Sequence, residues 1–94
     1  MAQLNSKSVV KKEENTPFKE LDHEGIILNL KNGDYFSVDR VGLLVWKAID
    51  GKKNIDQIAG RVTARYEVSK DTALSDLIGF VKNLHQKELV EVLS

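Results

Sequence analysis

Two histidines, His23 and His85, and the neighbouring carboxylates Asp22 and Glu24 are the first residues to weigh for acid–base or metal chemistry. Their setting argues against both. His23 falls in a polar stretch read as a hairpin loop, and His85 on a helix flank with no carboxylate spaced as a metal partner. Asp22 and Glu24 read as solvated turn residues. The chain has no cysteine, which excludes a disulfide scaffold, thiolate metal sites and cysteine catalysis, and suits a reducing cytosol. No Gly-rich phosphate loop, no nucleophile beside a base and no acid pair in an apolar setting occurs. The sequence therefore reads as a non-enzyme, with no catalytic residue, no cofactor and no metal.

The elements that hold these residues are more informative. Ninety-four residues suffice for one core but not two. Residues 1–16 are polar and read as a flexible N-terminal arm, with Val9-Val10 as a nascent strand, and residues 17–94 as the domain. Pro17 fixes its own φ and pushes Thr16 away from helix. A meander follows: a weak strand over Phe18–Leu21, a loop over Asp22–Gly25, a strand over Ile26–Leu30, the Asn32-Gly33 hairpin signal, and a returning strand over Tyr35–Val38. Ile26, Leu28 and Leu30 share one face of their strand, and Ile27 and Asn29 the other. So small a sheet must lean on helices.

Three helices are expected. Val41, Leu44, Val45, Ala48 and Ile49 form the apolar stripe of the first, with Asp39 as N-cap, Gly51 as stop and Trp46 at the stripe's edge. Gly42 inside it implies an approach too close for a side chain. The second helix, after Asn54, buries Ile55, Ile58, Ala59, Val62 and Tyr66. The third, capped by Ser69 and reaching about Lys87, carries Ala73, Leu77, Phe80 and Leu84 in one stripe and Leu74, Ile78 and Val81 in another. Together these cover an arc of roughly 160°, against the ~100° that a single packing contact needs. A second contact is implied: the sheet, a dimer partner or a ligand. Leu89–Leu93 reads as a short final strand or an extended tail.

Charge decides among the binding functions open to this arrangement. Fourteen basic residues balance fourteen acidic ones. On the third helix Lys70, Lys82 and Lys87 stand against Asp71, Asp76 and Glu88, and on the second Arg61 and Arg65 against Asp56 and Glu67. A winged helix reading DNA needs a basic surplus on the helix that enters the groove, so nucleic acid is set aside. No apolar run is long enough to span a bilayer, so no membrane partner is expected. Peptide capture remains: if Tyr35–Val38 is a sheet edge, its unpaired backbone groups can accept an extended chain, with the excess apolar face of the third helix as the opposite wall. Two other readings stay open, in which the N-terminal arm covers that edge or the second stripe is core. A homodimer that buries the second stripe is a further possibility.

From Phe18 to Val90, about three quarters of the chain, the sequence resembles the PqqD family, small proteins named for coenzyme PQQ synthesis protein D. The matching residues are Leu28-Asn29-Leu30, Gly33 to Asp39, Val45 to Gly51 with its W-x-x-x-D-G, Ile55 to Ala59 with its I-x-x-I-A, and Asp76 through Phe80-Val81 to Leu84, Leu89 and Val90. The resemblance implies an α+β, winged-helix-like fold, a three-stranded antiparallel sheet packed on a three-helix bundle. It also implies the role of a RiPP recognition element, a cytoplasmic peptide chaperone for PQQ or other RiPP biosynthesis. The leader of a ribosomally made precursor peptide would add as a strand to Tyr35, Phe36, Ser37 and Val38. Helical phase then puts Leu74, Leu77, Ile78 and Val81 in the facing wall. The other partner would be a modifying enzyme such as a radical SAM protein or a leader peptidase. The chain departs from the family at Val38-Asp39-Arg40, where a charge stands at the mouth of the cleft.

Overall fold

The computed structural model describes residues 4–93. The chain runs β1 (Val10–Lys12), β2 (Phe18–Leu21), β3 (Glu24–Leu28), β4 (Tyr35–Val38), α1 (Arg40–Ala48), α2 (Ile55–Arg65), α3 (Lys70–Gln86) and β5 (Val90–Val92). An antiparallel sheet ordered β2-β3-β4 packs chiefly on α1, with Phe36 of β4 touching Phe80 of α3, and β1 and β5 form a second, two-stranded antiparallel sheet. The expected α+β architecture is present. No helix among the described residues is long and apolar enough to cross a membrane.

Local chemistry sets the helix ends. Asp39 accepts the Gly42 N–H at 2.8 Å and starts α1. Asn54 and Gln57 exchange side-chain and backbone hydrogen bonds in a capping box at the start of α2. Ser69 accepts from Thr72 N at the start of α3. Between α1 and α2, Gly51 takes φ 77°, a conformation costly for other residues. In the same turn Asp50 accepts from the Lys53 side chain and from the Lys53 and Lys52 N–H groups, which hold its carboxyl well below the usual carboxylate range.

The expected N-terminal arm is instead part of the packed domain over its described residues; Met1 to Gln3 lie outside them. Val10 is fully buried, and β1 pairs with β5 in the register Val10↔Val92, Lys11↔Glu91, Lys12↔Val90. Further backbone bonds tie the segment down: Ile55 N–H to Ser8 O, Asp56 N–H to Ser6 O, and Gly51 N–H to Val10 O. Lys12 lies 4.9 Å from the Trp46 ring centroid, and burial lowers its pKa, partly offset by Asp50. A polar composition hid this because one valine and a ladder of main-chain bonds do the anchoring. Among the described residues no strand covers the edge of β4, since β1 binds at β5 instead.

Two apolar faces also differ from the periodicity. In β3 the buried residues are Gly25 and Ile27, followed by buried Asn29 just past the strand, while Leu28 is 40% exposed and Leu30 62%. The richer face thus looks outward. Buried Asn29 explains the choice: its Nδ2 donates to the Lys87 and Glu88 carbonyls, and its Oδ1 accepts the Lys31 N–H, so it ties the sheet to the C-terminus of α3. The β2–β3 turn is also tighter than expected, with Glu24 and Gly25 inside β3. In α1, Leu43 and Trp46 join Val45, Ala48 and the following Ile49 in the core, while Val41 and Leu44 are half-buried. This helix packs between sheet and helices, so one stripe does not cover its contacts. Trp46 is wholly buried, with no hydrogen-bond partner for its indole N–H among the described residues.

Candidate functional site

In the β2-β3-β4 sheet, β4 has a partner strand on one side only among the described residues. The hydrogen-bond phase shows which of its groups are free. Leu28 N–H donates to the Pro17 carbonyl on the β2 side, and Asn29 N–H to the Asp34 carbonyl on the β4 side. Pairing alternates along an antiparallel ladder, so odd-numbered residues of β3 serve β4. In the register Gly25↔Val38, Ile26↔Ser37, Ile27↔Phe36, Leu28↔Tyr35, Phe36 and Val38 therefore bond to β3. The N–H and C=O groups of Tyr35 and Ser37 point out from the open edge.

Side chains divide the same way. Phe36 and Val38 turn to the core, half-buried and 6% exposed, whereas Tyr35 is 67% exposed and Ser37 is exposed. Phe36 meets Phe80 of α3 edge to face, with centroids 6.0 Å apart and planes at 83°. That contact fixes the side of α3 that faces β4. Gly42 lies at the same junction: a Cβ there would come within 3.0 Å of Val38 Cβ and 3.3 Å of Phe80 Cε1. The close approach expected at Gly42 is present.

Phe80, which is not among the four wall residues expected from helical phase, is an α3 side chain in contact with β4. Leu77 and Val81, 3% and 0% exposed, belong to the core. Leu74 and Ile78 are half-buried, but at ~100° per residue they lie roughly 120° and 160° around the helix from Phe80. They pack against the core on a different side of α3 from Phe80. By helical phase Asp76 and Asn83, one turn to either side, lie nearest Phe80 on the helix surface. Counting apolar residues cannot find this side, because it is mostly polar and carries one aromatic ring.

Next to this junction, α1, the end of α2 and α3 enclose an apolar pocket of about 360 Å³. Asp39 lines it directly after β4 ends, and Phe80 connects it to the edge. His23 lies apart, in a polar groove with Arg40, Lys47 and Arg65, and His85 in another with Glu88 and Glu91. Asp22 shares the first groove, and Glu24 lies in β3. Among the described residues no three His, Asp or Glu side chains converge as a metal site.

An open-edged strand beside a helix, reached through W-x-x-x-D-G, can be compared with known proteins. The sequence model of the family described as Coenzyme PQQ synthesis protein D (PqqD) matches residues 24–90. The chain belongs to the PqqD family. Among curated protein sequences none matches. Among solved structures, TbiB1 in complex with the TbiA(beta) leader peptide is 32% identical, with a TM-score of 0.79 over 86% of this chain and 94% of that one. A lasso peptide synthetase B1 complexed with its leader peptide shares the fold at 17% identity (TM-score 0.77, 87% and 96% covered). So does the PqqD truncation of Methylobacterium extorquens PqqCD, a stand-alone RiPP recognition element, at 19% identity (TM-score 0.80, 95% of each chain).

Proposed function

We propose that the protein captures the leader segment of a ribosomally made precursor peptide and holds it for a modifying enzyme. The leader pairs with β4 as an added strand, using the outward N–H and C=O groups of Tyr35 and Ser37. Main-chain bonds supply affinity, and side chains entering the cleft beside Phe80 supply selectivity. The observation that carries this reading is the uncovered edge of β4 in a PqqD-family chain whose 32% identical relative holds a leader peptide. Catalysis belongs to the partner enzyme, a radical SAM protein or a leader peptidase, and the recognition element works in the cytoplasm. The benefit to the reaction is effective concentration, because a tethered core peptide meets the active site far more often than a free one.

The test is a titration of the ¹⁵N-labelled protein with the leader encoded beside its gene. The amides of Tyr35, Ser37 and Phe80 are expected to shift, with those of Tyr35 and Ser37 becoming slow to exchange. Binding that leaves the exchange of both strand amides unchanged refutes strand addition. A steeply salt-dependent affinity for duplex DNA revives the nucleic-acid reading instead.

A further inference from the structure

The β2-β3-β4 sheet has a second edge, at β2. Leu28 N–H donates to the Pro17 carbonyl, so odd-numbered residues here serve β3, and the N–H and C=O groups of Phe18 and Glu20 point outward. Among the described residues no strand pairs with that edge, and every residue of β2 is exposed. β2 and β4 are equally long, at 4 residues each. Pro17 is no obstruction, because it stands on the phase of the ladder that faces β3. By backbone alone, an extended chain fits either edge.

Side chains separate the two. From Tyr35 to Val38, β4 carries no charge, and toward the helices it turns Phe36 and Val38. On β2 the register places Glu20 in the row of Gly25 and Val38, on that same helix-facing side. There its carboxylate pairs with Lys47 of α1 at 2.6 Å. Lys19 stands on the opposite face, in the row of Ile26 and Ser37. A strand laid against β2 would press its helix-side residues onto the Glu20–Lys47 pair. Those two side chains are 46% and 47% exposed, and covering them removes water that a neutral peptide does not replace. Charges that point inward from an edge strand, and lysines along it, oppose the addition of a further strand.

We propose that charge closes the β2 edge: Lys19 and the Glu20–Lys47 pair restrict the protein to one extended peptide, taken at β4. The proposal rests on strand addition at β4. It assigns the choice of edge to side chains, since the backbone offers both.

The experiment titrates the leader encoded beside the gene into the full chain and into the Lys19→Thr/Glu20→Thr/Lys47→Gln variant. Calorimetric stoichiometry and amide hydrogen exchange are the readouts. All three positions are exposed and threonine favours strands, so the variant keeps its fold, which a circular dichroism melt verifies. The unaltered protein is expected to bind one peptide, protecting the Tyr35 and Ser37 amides but not those of Phe18 and Glu20. The variant should bind a second peptide, with exchange at positions 18 and 20 slowed about tenfold or more. Protection of Phe18 and Glu20 in the unaltered protein overturns the proposal. So does a variant that still binds one peptide, at β4, with positions 18 and 20 unprotected; strand addition at β4 then stands. A leader that binds without protecting Tyr35 and Ser37 in either protein overturns both readings.

Discussion

Proline at position 37 separates the docking edge from the fold. The Ser37 N–H points away from β3, so Ser37→Pro removes no bond of the ladder, and edge strands tolerate proline. The protein should remain folded, with a stability change below about 1 kcal/mol and a melting midpoint within about 8 °C of the original. A bound peptide, however, loses a donor, and the ring stands where the facing carbonyl must approach. An acceptor left unpaired costs about 1–3 kcal/mol, which at ~1.4 kcal/mol per decade weakens binding about 5- to 140-fold. Phe36→Pro is the control. It removes a ladder bond to Ile27 and the edge-to-face contact with Phe80, so it should cost about 3 kcal/mol or more of stability. Circular dichroism melts and calorimetric titration with the leader read both quantities. In hydrogen exchange, the Tyr35 and Ser37 amides of the free protein should exchange quickly while those of Phe36 and Val38 are protected. Full peptide affinity in a folded Ser37→Pro protein would refute the docking edge. A Ser37→Pro protein as unstable as Phe36→Pro would refute the hydrogen-bond phase itself.

Phe80→Ala should weaken leader binding, whereas Ile78→Glu, on the opposite side of α3, should leave the affinity unchanged; titration calorimetry on folded variants distinguishes the two. Gly42→Ala gains about 1 kcal/mol of helix propensity, but its Cβ meets Val38 and Phe80 at 3.0 and 3.3 Å. With overpacking at about 1–3 kcal/mol, urea denaturation should show a net loss of up to about 2 kcal/mol. Asn29→Ala leaves the carbonyls of Lys87 and Glu88 without their side-chain donor and should cost about 1–3 kcal/mol by the same measurement. Removing residues 1–12 exposes the β5 edge and deletes buried Val10; a loss of at least about 2 kcal/mol is expected, and unchanged stability would show the segment to be a loose arm after all.

Much of this molecule is legible from local chemistry. Asn-Gly predicts the β3–β4 turn, and Asp39, Asn54 and Ser69 predict the helix starts, because a turn or cap is decided within three or four residues. The α2 stripe holds at Ile55, Ile58, Ala59 and Val62, since that helix buries one face. The misreadings occur where partners are distant in sequence. Val10 is buried because β5, eighty residues on, supplies its ladder, and Asn29 is buried because the carbonyls ending α3 receive its amide. The wall of α3 follows the same logic. Hydrophobic periodicity shows that the helix has a wide apolar arc, but which side meets β4 depends on the placement of Phe80 against Phe36.

By itself, the sequence determined the elements, the family and the strand that carries the open edge. Tertiary structure decided that the edge is uncovered, because β1 is held at β5, and that Tyr35 and Ser37 turn their backbone groups outward. It also decided that an apolar pocket lies between the helices beside the end of β4. Caps and periodicities are short-range and written in neighbouring residues, whereas hydrogen-bond phase, strand partners and cavities arise only when distant segments meet.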